Sequence, residues 1–401
     1  KRAARSAPRR CWKGAKRCYC LKSLTRRRRW SSPDLTHLKY ETITSNNIGV
    51  DFGLFSDKVN FTFELYKKVT DDLLQKKMKV PSSTGLSTVA WYNSGKIQNK
   101  GWEFNIDIAA VKTKDWSFNF GFNISQNKNE ILELPENKND ELYTFGNKNY
   151  AYSVMMGDPL GSFYGYRYKG VYQNVEETYA VNTSGQRILD IDGNPVVMKN
   201  GDQKVYPGDA RYEDVNGDGV IDENDIVYLG NSNPTLTGGL NFTLRYKKVS
   251  LVAAFHGRAG QKVINQARMD MENMRGKNNQ SVAVLRRWRS EGDDTDIPRA
   301  LYDKGYNYLG SDRFVEDASF LRLKTVTLKY QMPAKWMKAI GVNKLELYAT
   351  GYDMFVWTKY KGQDPEVNLK AANDGTVAQV AIDSNNTPKP FKIAFGLNLN
   401  F

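Results

Sequence analysis

Trp116-Ser117-Phe118-Asn119-Phe120-Gly121-Phe122-Asn123-Ile124 is the stretch that decides the fold of this 401-residue chain, because apolar and polar residues alternate along its whole length. A period of two gives a β-strand one apolar face and one polar face. The same alternation recurs in residues 59–65, 102–108, 240–246 and 393–401. The chain is therefore predicted to be all-β.

About ten strands follow from this pattern and from the turn residues between its segments. They are predicted near residues 46–54, 58–69, 99–112, 115–127, 161–173, 236–247, 249–257, 318–331, 344–355 and 391–401. The alternation changes phase between Leu323 and Val326, which predicts a β-bulge. Residues 263–275 and 282–289 break the strand pattern and predict short helices in a long loop, and residues 130–160 and 175–230 predict polar loops.

Three features favour a transmembrane barrel over a soluble β-sandwich, although a sandwich would show the same alternation. The predicted strands are roughly nine to twelve residues long, which suits a tilted crossing of a bilayer. Aromatic residues lie at strand ends, as at Trp102, Trp116, Tyr246 and Tyr330, where a membrane interface favours them. Some connections are tight whereas others are long and polar, as at the two rims of outer-membrane barrels.

Residues 1–30 differ sharply in composition from residues 31–401. They hold thirteen Lys or Arg, no acidic residue and all three cysteines (Cys11, Cys18 and Cys20), so a net charge of only +1 of the total +14 falls on the rest. A basic arm for nucleic acid, a targeting peptide and an out-of-frame start are the three interpretations. We favour the third, and expect residues 1–30 to be a non-native or disordered leader and no nucleic acid to be bound.

One stretch carries a metal-binding pattern. Residues 214–225 place oxygen-bearing groups at positions 1, 3, 5, 7, 9 and 12, as a calcium loop does, with Gly219 at the sharp turn. The predicted ligands are the side chains of Asp214, Asn216, Asp218, Asp222 and Asp225 and the carbonyl of Val220. Asp225 replaces the usual Glu, and no long helices flank the loop. We therefore expect a structural Ca²⁺ clip, with an unmetallated acidic turn as the alternative.

Catalytic patterns are missing from the sequence. The only histidines, His37 and His256, are not framed by a serine or acid motif, and we expect His256 to be structural. Residues 257–260 are glycine-rich but lack the Lys-Ser/Thr that closes a phosphate loop. The chain is predicted not to be an enzyme.

Four stretches of the sequence are informative together, namely residues 47–74, 93–103, 207–231 and 312–367. Residues 93–103 follow the pattern N-x-G-x-I-x-N-x-G-x-E. In these stretches the chain resembles the SusC/RagA family of TonB-dependent receptors, and the resemblance spans nearly all of residues 33–401.

This resemblance implies the C-terminal part of an antiparallel transmembrane β-barrel of about 22 strands in the Gram-negative outer membrane, with long extracellular loops and a lumen filled by an N-terminal plug. It also implies import of large nutrients, usually glycans and sometimes peptides. The expected partners are a SusD-like surface lipoprotein, the TonB complex and membrane lipid.

Neither a plug nor a TonB box is present in residues 31–401, which departs from the family pattern. An open sheet of about ten strands would leave two unpaired edges, so we expect a fragment that does not function alone. The alternatives are a passive outer-membrane pore, a surface adhesin and a secreted glycan-binding β-sandwich with a calcium clip. Four loop tyrosines could stack on sugar rings or simply pack within the loops. They are Tyr150, Tyr152, Tyr302 and Tyr306.

Overall fold

The computed structural model describes most of the chain after the basic leader. The described residues are 38–79, 88–93, 95–134, 143–144, 150–152, 155–339, 341–371 and 379–400. Residues 1–30 and His37, on which several of the predictions above fall, lie outside them.

Strands make up most of the described secondary structure. In chain order they are β1 (Thr42–Leu54), β2 (Val59–Asp71), β3 (Leu74–Lys79), β4 (Thr88–Asn93), β5 (Lys96–Lys112), β6 (Trp116–Glu133), β7 (Tyr143–Thr144), β8 (Ala151–Tyr152), β9 (Ser162–Gly165), β10 (Tyr168–Val171), β11 (Lys199–Asn200), β12 (Gln203–Lys204), β13 (Ala210–Tyr212), β14 (Val220–Ile221), β15 (Val227–Asn231), β16 (Leu236–Tyr246), β17 (Val249–Ala259), β18 (Lys262–Asn265), β19 (Val315–Asp317), β20 (Phe320–Gln331), β21 (Lys344–Thr358), β22 (Leu369–Ala371), β23 (Gln379–Asp383) and β24 (Lys392–Asn400).

Helices are few and short. The described residues contain two α-helices, α1 (Gln266–Glu272) and α2 (Ala334–Ala339). They also contain 3₁₀ turns at Glu176–Thr178, Glu223–Asp225, Val282–Arg286, Tyr306–Tyr308 and Asp312–Phe314. Among the described residues, no helix is both long and apolar enough to cross a membrane.

Nine long strands form one sheet in the order β1-β2-β5-β6-β16-β17-β20-β21-β24, and every neighbouring pair is antiparallel. These strands correspond to nine of the predicted ten, which confirms the all-β antiparallel fold. They range from 9 residues in β24 to 18 in β6, so several are longer than predicted. Within the described part of the chain, β1 and β24 are the two edges of this sheet.

The predicted strand over residues 161–173 is wrong as a member of the large sheet. Those residues form β9 and β10, which belong to two smaller sheets with β15 and β13. All four residues of β9 are buried, including Ser162. The pattern misled because a short strand enclosed on both faces contains the same apolar residues as a half-exposed one.

Cross-strand pairing gives the large sheet one apolar face and one polar face. Phe120 of β6 lies opposite Ile108 of β5 on one side and Phe242 of β16 on the other. One position along, Asn241 lies opposite Gly121. Matched pairing of this kind fixes the register, since a slip by one residue would exchange the two faces. The apolar face is the one that a bilayer would solvate.

Aromatic side chains lie at the same height near one rim of the apolar face. Trp116 and Tyr246 are directly paired, with ring centroids 4.3 Å apart. Val249 is paired with both Tyr246 and Tyr330, so Tyr330 lies at the same height. Trp102 differs from the prediction, because β5 extends past it to Lys96. It lies opposite Leu65 and Gln126, ten residues along β6 from Trp116. The apolar face is thus bounded by aromatic residues at two heights, as at two membrane interfaces.

The connections alternate between two rims. The β1–β2, β5–β6 and β16–β17 turns are tight, and β20 joins β21 through the short helix α2. Every other connection in the sheet inserts further strands, the longest one running from β6 to β16. The sheet therefore has a short-turn rim and a long-loop rim, as predicted.

The predicted bulge is confirmed. The β20–β21 register shifts between Leu323 and Thr325, and the β17–β20 register shifts at the same place on β20. The extra residue restores the alternation for Val326 and Leu328.

The long loops are more ordered than their polar composition predicted. Residues 175–230 contribute Ala180, Met198, Val205 and Ile221 to one buried cluster, and a second cluster gathers Phe163, Ile264, Met269 and Phe314. The helix predicted over residues 263–275 is shorter, because β18 precedes α1, and that over 282–289 is a 3₁₀ turn. Isolated apolar residues in a polar sequence give no periodic signal, so only long-range packing reveals these cores. We refer to residues 155–235 and 260–319 as the loop layer.

The face of the sheet on which a β16 side chain lies decides how much a charged substitution there lowers stability. We expect Phe242→Lys to lower the free energy of unfolding of the membrane-inserted protein by about 2–4 kcal/mol, because it places a charge in the middle of the apolar face. Its neighbour Asn241 is on the polar face, and Asn241→Lys should change the free energy by less than about 1 kcal/mol. Denaturant titration in lipid bilayers compares the two. Equal destabilisation by the two substitutions would mean that Phe242 and Asn241 do not lie on the faces assigned to them.

Candidate functional site: the polar face and the loop layer

The polar face of the large sheet carries amide and hydroxyl groups in hydrogen-bonded ladders. Asn99 Oδ1 accepts hydrogen bonds from Asn127 Nδ2 at 3.3 Å and from Asn129 Nδ2 at 3.0 Å. The Ser125 and Thr237 hydroxyls lie 3.3 Å apart between β6 and β16. Such groups can exchange hydrogen bonds with a polar solute, so this face suits contact with water and dissolved ligands.

An ion-pair cluster fastens the β21–β24 loop to the polar face, and we refer to it as the loop latch. It consists of Arg322, Lys324, Asp364, Glu366 and Lys389. Arg322 Nη2 lies 2.6 Å from Asp364 Oδ1, and its Nε lies 2.9 Å from Glu366 Oε2. Lys389 Nζ lies 2.6 Å from the same Glu366 oxygen. Arg322 is only 2% exposed, although water would reach a polar-face residue of an uncovered sheet.

The charge state of the latch follows from its contacts. Burial acts to raise the pKa of Glu366, but the ammonium groups of Lys389 and Lys324 and the Arg322 guanidinium outweigh it, so the pKa is lowered overall. Glu366 is therefore ionised at neutral pH. A carboxyl with a lowered pKa stabilises the fold above its ordinary value of 4.5 and loses that contribution as pH falls below it. The latch should hold through the whole neutral range.

A second buried network fixes α1 in the loop layer. Glu272 accepts from Arg268 Nε at 2.7 Å and from Arg313 Nη2 at 3.0 Å. Arg268 Nη1 also reaches Glu316 Oε1 at 3.1 Å. Arg313 and Glu316 belong to the sequence stretch 312–367, which also supplies Arg322, Asp364 and Glu366. That stretch therefore supplies at least one partner to most of the ion pairs that order the loops. The spacing of its residues did not reveal which charges meet.

Asp209 is a third buried anchor. Its carboxylate receives Arg299 Nε at 2.7 Å, Asn307 Nδ2 at 3.2 Å and the backbone N–H of Tyr206 at 2.8 Å. The preceding Gly208 has φ +89°, and a Cβ there would lie 2.3 Å from the Trp288 ring. Within residues 207–209, the positive φ of the turn and the close contact with Trp288 both require glycine at position 208.

The candidate calcium loop forms a compact turn closed by its own carboxylates. Asp214 Oδ1 accepts from the Gly217 N–H at 2.7 Å, and its Oδ2 accepts from the Gly219 N–H at 2.8 Å. Both glycines have positive φ, +70° and +84°. Asp225 is fully buried and accepts from the N–H groups of Val215 at 2.7 Å and Asp222 at 2.9 Å. The loop therefore has the curvature that a calcium loop needs.

The side-chain oxygens of this loop point mainly at backbone N–H groups. Asp218 Oδ1 accepts from the Val220 N–H and Asp222 Oδ1 from the Asn224 N–H, both at 2.8 Å. Asn216 Nδ2 donates to Asp218 Oδ2 at 2.9 Å. In the described part of the chain, no three His, Cys, Asp or Glu side chains are arranged to hold a metal ion. The oxygen donors suit calcium in kind, but the predicted ligands do not converge in this arrangement.

The remaining residues singled out in the sequence lie in different surroundings. His256 is on the polar face with its ring edge-on to Phe320, at a centroid distance of 5.9 Å. Tyr150 is buried and donates to the Ser311 carbonyl at 2.7 Å, so it packs within the loop layer. Tyr306 is oriented toward Asp209, and Tyr302 is exposed. The side chain of Tyr152 lies outside the described residues.

Breaking the loop latch should release the β21–β24 loop. We expect Arg322→Met to lower the free energy of unfolding by about 3–5 kcal/mol, because Asp364 would remain buried without a cationic partner and Glu366 would keep only its two lysines. Hydrogen exchange of residues 360–367 should accelerate strongly. Lys324→Met is the control, since Lys324 is partly exposed and should cost less than about 1 kcal/mol. Unchanged exchange in Arg322→Met would show that packing alone holds the loop.

Comparisons with known proteins agree with this architecture. Residues 29–194 match the family described as TonB dependent receptor-like, beta-barrel. TonB-dependent receptor P26 of Formosa agariphila is 33% identical over 377 residues, which cover 92% of this chain and 35% of the relative. TonB-dependent receptor SusC of Bacteroides thetaiotaomicron is 28% identical over 376 residues, covering 91% and 32%.

A solved structure shares the fold. The structure of the RagAB peptide transporter superposes with a TM-score of 0.68 at 23% identity, covering 91% of this chain and 36% of that chain. The chain spans about a third of the length of the relatives it matches. Over about nine-tenths of its length the chain is similar to TonB-dependent receptors, and its large sheet has the fold of an outer-membrane β-barrel.

Proposed function

We propose that this chain is part of an importer that carries large nutrients across the outer membrane, driven by the TonB complex. The observation that carries the proposal is the pairing of a hydrogen-bonding polar face with a long-loop rim whose loops are folded into a layer of their own. A passive pore needs the polar face alone. An importer also needs an ordered outer surface that selects the cargo.

The proposed cargo is a glycan, with a peptide as the alternative. Amide and hydroxyl ladders such as Asn99–Asn127 and Ser125–Thr237 can bind hydroxyl groups and peptide groups equally well. The exposed ring of Tyr302 offers a stacking surface that favours a sugar. The peptide alternative is supported by the fold shared with the RagAB peptide transporter.

The proposed partner at the long-loop rim is a SusD-like lipoprotein. Apolar side chains stand exposed on these loops, namely Val282 at 79%, Leu285 at 63% and Ile191 at 101%. Val282 and Leu285 lie three residues apart in one 3₁₀ turn, so they project from the same side. Exposed apolar residues that share one side suit a protein contact.

Uptake measured with and without TonB tests the importer proposal. In cells whose receptor contains this chain, we expect uptake of labelled oligosaccharide to stop when TonB is deleted. Uptake that continues unchanged would support a passive pore and end the proposal. A labelled peptide of similar mass, run in parallel, separates the two cargo classes.

Co-purification with the same receptor tests the proposed contact with the SusD-like lipoprotein. The double substitution Val282→Asp and Leu285→Asp should reduce co-purification of the SusD-like lipoprotein by on the order of tenfold, because two apolar contacts are replaced by charges. Phe55→Asp is the matched control, since Phe55 is 76% exposed in a turn at the opposite rim. If both variants retain the lipoprotein equally, this turn is not the contact.

We also propose that residues 214–225 bind Ca²⁺ as a structural clip. The support is the ligand spacing, the two positive-φ glycines and a turn that is already closed at both ends by Asp214 and Asp225. Asp218 and Asp222 would have to exchange their backbone hydrogen bonds for the ion. Burial raises the pKa of Asp225, with the nearby Asp214 carboxylate adding to the effect. Because the ion needs the ionised carboxylate, protons should displace it at a higher pH than at an ordinary aspartate.

Calcium titration of the purified protein checks this clip. Asp214→Asn should weaken binding by at least about tenfold, since one charged ligand is lost. Asp190→Asn is the control, because Asp190 makes comparable turn hydrogen bonds in a neighbouring hairpin. Affinity should fall as the pH is lowered into the acidic range, and this fall should be weaker in Asp225→Asn. Terbium luminescence that is the same in the native protein and in Asp214→Asn would contradict the proposal.

A further inference from the structure

Three lysines lie side by side on the apolar face of the large sheet, close to the long-loop rim. Lys67 of β2 is directly opposite Lys100 of β5, and Lys100 is directly opposite Lys128 of β6. All three are exposed. We call Lys67, Lys100 and Lys128 the lysine row.

This arrangement is unfavourable for the sheet alone. Like charges directly opposite each other on neighbouring strands repel. Among the described residues only Glu130 offsets them, at 3.7 Å from Lys100 and 3.8 Å from Lys128. Within the described part of the chain, Lys67 has no acidic partner. The row therefore keeps a net positive charge at the boundary between the apolar face and the loops.

An apolar floor lies next to the lysine row. Ile48, Leu65 and Trp102 lie side by side on β1, β2 and β5. Their positions are two residues closer to the middle of the sheet than the lysine row. Two residues along a strand correspond to about 7 Å. The Trp102 indole N–H donates to Gln126 Oε1 at 2.6 Å, which fixes the ring on this floor. Floor and lysines together line a surface groove of about 510 Å³.

The position of the groove determines which molecule can reach it. It is on the lipid-facing side of the barrel, at the height of the aromatic boundary that lies toward the long loops. Long loops mark the extracellular rim of such barrels. A ligand there must therefore have acyl chains for the floor and an anionic group for the lysines. Lysine is a strong binder of phosphate, which it attracts as a point charge.

We propose that the lysine row and its apolar floor form a binding site for a phosphorylated glycolipid of the outer leaflet, of the lipid A type. The acyl chains pack on Ile48, Leu65 and Trp102, and the phosphates lie among the three ammonium groups. The bound phosphates neutralise the repulsion along the row. The glycolipid thus supplies the counter-charge that the described part of β2, β5 and β6 lacks at this height.

Native mass spectrometry of the detergent-purified protein tests the site, with bisphosphorylated lipid A and its fully dephosphorylated form as probes. The native protein should retain the phosphorylated form preferentially. The triple substitution of Lys67, Lys100 and Lys128 by Gln should weaken its binding on the order of 100-fold, because each lysine contributes to the attraction. The charge-matched control replaces Lys112, Lys247 and Lys248 by Gln at the short-turn rim and should bind as the native protein does.

Two measurements on the unaltered protein keep the test independent of how the triple variant assembles. Retention of the phosphorylated lipid should fall as salt is raised, whereas retention of the dephosphorylated lipid should not. Inorganic phosphate, at concentrations that match the lipid phosphate, should not displace the lipid. Equal retention of both lipid forms, full competition by inorganic phosphate or undiminished binding in the triple variant would each overturn the proposal.

Discussion

Antiparallel pairing that matches the faces of neighbouring strands is the constraint on which the rest of this structure depends. A sheet that faces lipid has to satisfy its backbone N–H and C=O groups internally, because hydrocarbon offers no hydrogen-bonding partner. The nine long strands meet this condition along all of their mutual borders. The same register places apolar side chains opposite apolar ones and polar opposite polar. The bulge at Leu323 preserves that match where the sequence of β20 changes phase.

The loop layer and the β21–β24 loop are stabilised by a different kind of interaction. Arg322, Glu272 and Asp209 lie at the centres of three buried polar clusters, each of which joins segments far apart in the chain. Burying charges costs desolvation energy, and removing one partner costs more than the pair contributes. These clusters therefore determine where the loops lie more than how stable the protein is. A defined loop surface is what the proposed import of large cargo requires.

Charge is distributed differently on the two faces of the sheet. On the polar face and beneath the loops, each buried cation discussed above meets an acidic partner. On the apolar face, the lysine row has more cations than acids. Anionic lipid groups stabilise a surplus of positive charge at a lipid boundary, so in the proposed glycolipid site the composition of the leaflet would contribute to the energetics of the barrel.

The sequence by itself determined the all-β class, nine of the long strands, their facing, the bulge and the two unequal rims. Each of these depends on a period of two or on turn residues, which are local properties of the chain. Only the tertiary structure decided that residues 161–173 leave the large sheet, that the polar stretch 175–230 has a buried core, and that Arg322 meets Asp364 and Glu366. It also decided that the oxygens of residues 214–225 face backbone N–H groups and that Lys67, Lys100 and Lys128 share one row. These features depend on contacts between residues distant in sequence, and local periodicity carries no information about such contacts.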